Sequence, residues 1–294
     1  MPKIDITEVF KSVQGEGHHV GAPSIFVRSF LCNLQCEFFG QSKEPSERIS
    51  LKDMPHMTMS LDGITSLEQL PIPTMGCDSA MSWAKRFKHL TKSYNVDELI
   101  NHYTDLLPRG SWVSEQGQDF HLVITGGEPL LPKNQDFWAS LLDHEHSISL
   151  RNVTFETNGT QEIGINLKRA LNGFVMRGGK VTWSVSPKLE TNSGEPWEKA
   201  IIPSALKTYA LCRGGYLYLK FVIRDEEDLE AAEKVIDSYY LNNIDLDNIY
   251  LMPEGAVDSQ LKDTKNKVVD MCMRTGYKFS PRLHVDLFGN AWMT

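Results

Sequence analysis

Six short apolar runs recur along the chain: PSIFVRSF (23–30), FHLVITG (120–126), NVTFET (152–157), KVTWSVS (180–186), YLYLKFVI (216–223) and NIYLMPE (248–254). Several are nearly continuous rather than strictly alternating, which is the pattern of strands covered by helices. Helical spacing appears between them. NVDELINHYTDLL (95–107) carries acidic residues in its first turn, where they complement the helix dipole. Further helices are expected at 133–146 and 226–241, and at 259–276, where Gly276 would cap the C-terminus. Strands alternating with helices predict an α/β fold with a parallel sheet and right-handed crossovers. One stretch departs from the pattern. Residues 37–76 are rich in Ser, Pro, Met and charge, and are expected to form a partly irregular insertion over the site.

In parallel α/β folds, ligands gather at the C-terminal ends of strands. The chemistry-bearing motifs fall there: CNLQC after the first run, TGGEP after the second, ETNGT after the third, SPK after the fourth and MPEG after the sixth. Cys32 and Cys36 sit four positions apart, and a loop returns Cys77. Three thiolates on one iron–sulfur cluster leave one iron open to a small molecule. The spacing alone leaves open zinc, with His56 or His89 as the nearest fourth ligand, or no metal at all. In TGGEP, Gly126 and Gly127 would let the backbone approach a ligand, and Glu128 could take an ammonium. The same residues also suit a plain turn closed by Pro129.

The segment SVQGEGHHVGAPS (12–24) offers backbone donors, with Gln14 and Glu16 as readers of a polar heterocycle; it also reads as a simple hairpin connection. Arg28 lies inside IFVRSF, and a buried Arg needs either an internal acid or a ligand carboxylate. SVSPK offers hydroxyls and a Lys at one strand end and LMPEG a backbone turn at another, but alone each reads more readily as a loop. His284 lies in the β-like run PRLHVDLFG and reads more readily as a core histidine.

Composition narrows the classes. The 294 residues are 41% hydrophobic, enough for a sizeable core, and 38 acidic residues against 30 basic ones give a net charge of −8. That balance argues against a nonspecific nucleic-acid or membrane binder. No apolar run reaches the roughly 18 residues of a membrane span, and the start MPKIDITEVF lacks the apolar core of a secretory signal. Five cysteines, an odd number, suit a reducing cytoplasm and metal or redox chemistry over disulfides. Cys212 and Cys272 read as packing residues.

Taken in order, SVQGEGHHVGAPSIFVR, CNLQC, GCDS before SW, TGGEPLL, ETNGT, SVSPK, LKFVI and LMPEG resemble the radical S-adenosylmethionine superfamily. Within it they are similar to the 7-carboxy-7-deazaguanine synthase family. The family's third cysteine follows the second by three positions; here that position is Phe39, and Cys77-Asp78-Ser79 comes only after residues 37–76. The resemblance implies a single domain over 1–294, a partial parallel barrel of about six strands, with 37–76 inserted. It implies a 4Fe–4S cluster on Cys32, Cys36 and Cys77, with S-adenosyl-L-methionine flanked by Gly76, Asp78, Gly126, Gly127, Glu128, Ser186, Pro187, Lys188, Met252, Pro253, Glu254 and Gly255. Val13, Gln14, Gly15, Glu16, Arg28, Thr125 and His284 would surround a pterin, with Arg28 on its carboxylate. Ser79, where the family has Thr, would ligate Mg2+. The implied reaction is a radical ring contraction of 6-carboxy-5,6,7,8-tetrahydropterin with loss of ammonia. It would be fed by an electron donor such as flavodoxin or ferredoxin, in a homodimer. Two alternatives are a glycyl-radical activase and a non-catalytic regulator on the same fold.

Overall fold

The computed structural model describes residues 2–212 and 214–294. Nine strands build one sheet: β1 (Ile4–Val13), β2 (Pro23–Ser29), β3 (Lys92–Tyr94), β4 (His121–Gly126), β5 (Asn152–Thr157), β6 (Lys180–Val185), β7 (Gly215–Ile223), β8 (Asn248–Pro253) and β9 (Lys278–Phe279). Their order is β3-β1-β2-β4-β5-β6-β7-β8-β9. From β2 to β9 every pairing is parallel. Only β1 runs antiparallel, to both β2 and β3. The sheet stays open, as an incomplete barrel does. All six expected strands are present, while β1, β3 and β9 extend the sheet beyond them.

The helices lie outside. Val96–Leu106 begins at Asn95, whose side chain accepts from Glu98 N at 2.9 Å while Glu98 reaches back to Asn95 N at 2.8 Å, a reciprocal cap. Asp258–Thr275 ends at Gly276 in the left-handed conformation expected of a C-terminal cap. The core between sheet and helices is continuous. Phe155 stacks on Trp183 and Trp183 on Tyr209, which ties β5 and β6 to the helix Pro203–Ala210. Helices Ile165–Met176 and Pro203–Ala210 were not singled out from the sequence, although Leu167, Ala170, Leu171 and Phe174 bury one face at helical spacing. His284 is corrected: it lies in the helix Leu283–Phe288, not in a strand. Among the described residues no helix is long and apolar enough to cross a membrane.

The β1–β2 hairpin tip closes the floor of the barrel. Gln14 donates to Glu156 on β5, His19 meets Thr182 on β6, His18 meets Tyr250 on β8, and Gly17 N donates to Ser280 Oγ just past β9. Leu283 N donates to Gly15 O at 3.0 Å. The β1–β2 hairpin and the β8–β9 end of the sheet are thus bridged by loop contacts rather than by strand pairing. Gly17 has φ +69° and a Cβ there would stand 2.2 Å from Tyr218 Oη, so only glycine fits.

Residues 37–76 form 3-10 turns and one short helix, Pro55–Thr58. A second apolar centre joins them to the chain after Cys77, where Leu67 and Leu70 pack with Met81, Trp83 and Phe87. The two ends of this segment meet at a neck: Gly76 N donates to Phe39 O at 2.7 Å. That bond is how the chain returns Cys77 to Cys36 after so long an excursion.

Candidate active site

A cavity of about 280 Å3 opens at the C-terminal strand ends and runs down to the hairpin floor. Cys32, Cys36 and Cys77 all line it. So do Gly76, Asp78 and Ser79 from the loop after the neck, Thr125, Gly126 and Gly127 from β4, Ser186 and Lys188 after β6, and Met252, Pro253, Glu254 and Gly255 after β8. Val13, Gln14, Gly15 and Glu16 from the hairpin, with Arg28 and His284, line it as well. Two of the expected residues do not border the cavity, Glu128 and Pro187.

Glu128 is fully buried and its carboxylate is engaged inside the fold. It accepts from Leu130 N at 2.9 Å, Thr157 Oγ1 at 2.8 Å and Asn158 N at 2.8 Å. Burial pushes its carboxyl up to about 7, against the pull of those three donors. The anchor ties the end of β4 to the end of β5, with Oε1 accepting two of the bonds and Oε2 one. The paired glycines have a structural task too. Gly126 stands with φ +145°, and a Cβ on Gly126 or Gly127 would stand 2.3 Å from Ser29 O or Leu31 O respectively. The end of β4 therefore lies directly on the chain that carries Cys32, with Glu128 N donating to Leu31 O at 2.8 Å.

The three thiols are soft donors in a dry place. Burial pushes the Cys32 thiol up to about 12, helped by the Glu128 charge. Burial raises Cys77 to about 11, with Asp78 adding to it, and raises Cys36 well above the ordinary thiol value. Each thiolate would repel another of the three, while Lys188 favours all of them. Buried thiolates of this kind need a metal centre to be stable as anions. Among the described residues no three His, Cys, Asp or Glu side chains are close enough to hold a single metal ion. Three cysteines lining one cavity are a donor set that an iron–sulfur cluster would take. His56 is buried in the insertion and does not line the cavity. Cys212 and Cys272 are buried in the main core, away from the cavity.

Arg28 has an internal acid. It stands opposite Glu8 in the β1–β2 register, with Nε 2.7 Å from Glu8 Oε2. Its Nη1 reaches Ser79 Oγ at 3.3 Å, and the side chain still borders the cavity. Ser79 also donates to Asp78 Oδ1 at 3.3 Å, so two oxygens suited to a hard cation lie side by side there.

Three charged residues were not singled out from the sequence. Lys220, on β7, is buried and bonded to Glu16. Arg282, just after β9, reaches Glu16 Oε1 at 3.1 Å, Asp78 Oδ2 at 2.8 Å and Gly255 O at 2.5 Å. Glu156 on β5 lines the cavity and holds Gln14. Burial pushes the Glu16 carboxyl up, but Lys220, Arg282 and His284 outweigh it and hold it well below the usual range. The signal for Lys220 was present, since a lysine within LYLKFVI must find a buried acid. Arg282 follows a strand of two residues and had no such signal.

The comparisons come from sequence and from structure. No protein-family model matches the chain. The chain is 29% identical over 308 residues to a 7-carboxy-7-deazaguanine synthase of Halobacterium salinarum, covering 99% of this chain and 92% of the relative. It is 24% identical to that of Pyrobaculum aerophilum, covering 99% and 97%, and 25% identical to that of Rhodopirellula baltica, covering 97% and 86%. The crystal structure of QueE from Escherichia coli shares the fold, with a TM-score of 0.52 and 20% identity over 95% of this chain and 93% of that one. Along nearly its full length the chain is a relative of the 7-carboxy-7-deazaguanine synthases.

Proposed function

We propose that this chain is a radical S-adenosylmethionine lyase that converts 6-carboxy-5,6,7,8-tetrahydropterin to 7-carboxy-7-deazaguanine with loss of ammonia. The observation that carries the reading is one cavity shared by three thiols at its mouth, Arg28 on β2 and a hydrogen-bonding floor that includes Gln14 and Glu16. When bound, a 4Fe–4S cluster with S-adenosylmethionine at its open iron supplies the radical chemistry. An external one-electron donor of the flavodoxin or ferredoxin kind feeds it.

The chain's own residues bind, orient and exclude water. Cys32, Cys36 and Cys77 hold the cluster. Gly126 and Gly127, Ser186, Lys188 and the Met252–Gly255 turn border the cofactor. Gln14 and Glu16 face the pterin ring from the floor. Arg28, already fixed by Glu8, offers its remaining N–H groups to the substrate carboxylate. Ser79 and Asp78 present oxygens to Mg2+ beside that carboxylate. Orientation of this kind accounts for much of the rate an enzyme gains once a cofactor supplies the reactive species.

Anaerobic reconstitution with iron and sulfide tests the proposal, followed by incubation with the carboxypterin, S-adenosylmethionine and a reductant. The expected result is cluster absorbance and a product lighter than substrate by one ammonia. A fully loaded cluster that yields no such product removes the lyase reading.

A further inference from the structure

Cys36 has φ +52°, a left-handed conformation that a non-glycine residue adopts only when its surroundings impose it. The imposing group is Glu195. One carboxylate oxygen accepts from the backbone N–H of Gln35 at 2.5 Å and of Cys36 at 3.0 Å. The other accepts from Lys199 Nζ at 2.7 Å. Glu195 is buried at 4% exposure, while the Lys199 side chain is 47% exposed. The residues just before Glu195 complete the seat: Phe38 N donates to Ser193 O, and Gly194, at φ +75°, lies against the Phe38 ring. Neither Glu195 nor Lys199 borders the cavity.

The arrangement has an electrostatic consequence beyond holding the loop. Backbone N–H groups beside cluster cysteines ordinarily donate toward the cluster, and such bonds help to set its reduction potential. Here two of them are taken by a carboxylate. A buried negative charge is left behind the second cysteine, offset from the solvent side by an exposed lysine. Negative charge next to a redox centre opposes the arrival of an electron, and it acts strongly where water is excluded.

We propose that Glu195 is a positioning residue for the Cys36 loop and that, with Lys199, it sets the reduction potential of the cluster bound there. The inference rests on the cluster reading above. The redox step is the transfer of one electron from mediator to cluster, with no bond made or broken in the protein.

The test is a mediated potentiometric titration of wild type, Glu195→Gln and Lys199→Met after anaerobic reconstitution, with iron counted per chain. Glu195→Gln keeps an acceptor for the loop and removes the charge. Lys199→Met changes an exposed side chain and leaves the carboxylate uncompensated. At a fixed potential the reduced-to-oxidised ratio should rise about three- to tenfold in Glu195→Gln, tenfold being about 59 mV for a one-electron couple. In Lys199→Met the ratio should fall, by less because solvent screens that charge. Opposite shifts at full iron loading support the proposal. Loaded variants that do not shift, or that shift the same way, overturn it and leave the cluster reading intact. If Glu195→Gln takes up no iron, the Lys199→Met shift decides alone. A wild type that itself takes up no iron overturns the cluster reading and this inference together.

Discussion

At the scale of single residues, the site depends on side chains that serve two partners at once. Arg28 is fixed by Glu8 and faces the cavity with what remains of its guanidinium. Arg28→Ala should weaken carboxypterin binding by about 2–4 kcal/mol, the cost of breaking a desolvated charge pair. It should leave S-adenosylmethionine binding nearly unchanged. Separate calorimetric titrations of the two ligands check this; equal losses for both would place Arg28 in structure alone. The cysteines divide just as sharply. Cys77→Ala should abolish cluster uptake, whereas Cys212→Ala and Cys272→Ala, in the main core, should keep full iron content and lose only packing. Iron and sulfide analysis decides it, and a full complement in Cys77→Ala would remove Cys77 from the ligand set.

At the scale of elements, the neck of the 37–76 segment carries the third cysteine home. Gly40 has φ +67° and a Cβ there would stand 2.3 Å from Thr74 O, across the neck from where Gly76 bonds Phe39. Gly63 has a similar φ, +74°, but open space around it. Gly40→Ala should therefore strain and widen the neck and lower iron uptake. Gly63→Ala should cost only the backbone strain of about 1 kcal/mol and load normally. Iron per chain and thermal unfolding of the two variants give the comparison, and equal iron content would separate the neck from ligand placement. This element also marks the limit of what the sequence discloses. The six parallel strands were legible because near-continuous apolar runs between turn residues allow little else. The site motifs were legible because each stands at the end of such a run. Residues 37–76 had no period, since they fold into short turns closed by local bonds and are gathered only at the neck by a contact far apart in sequence. β1 was missed although Ile4 and Ile6 alternate with polar residues, and with it Glu8, the partner that Arg28 required. Arg282 and Glu195 lie outside every motif, and only tertiary placement gives them a role.

At the scale of the whole molecule, the floor ties stability to pH. Burial lowers the His19 imidazole to about 4, with His121 and His18 repelling its charged form, and His18 and His121 are lowered too, each mainly by burial. A folded-state value below the unfolded 6.5 means that the unfolded chain binds more protons in between. The stabilisation is complete above pH 6.5 and is lost as pH falls toward 4. With His19 discounted for its partial exposure, the loss is of order 1–2 kcal/mol. Thermal unfolding of the cluster-free protein from pH 7 to pH 4 should show it, and His19→Gln should flatten the profile. An unchanged slope in that variant would separate the histidine from the effect.

The same floor carries a consequence for how the chain is made. Gly17 bonds Ser280 across 263 positions, and Gly15 accepts from Leu283. Synthesis proceeds from the N-terminus, so Cys32, Cys36 and Cys77 leave the ribosome long before the residues that seal the floor. Until then the barrel is open at both ends, and Glu16 has neither Arg282 nor, for most of that time, Lys220 to offset its charge. Contacts of such sequence separation form late and slowly. The nascent chain therefore passes through a stage in which the hairpin is paired, the thiols are assembled and the bottom is wet. Only the arrival of Ser280, Arg282 and Leu283 turns an open tube into a vessel with one mouth.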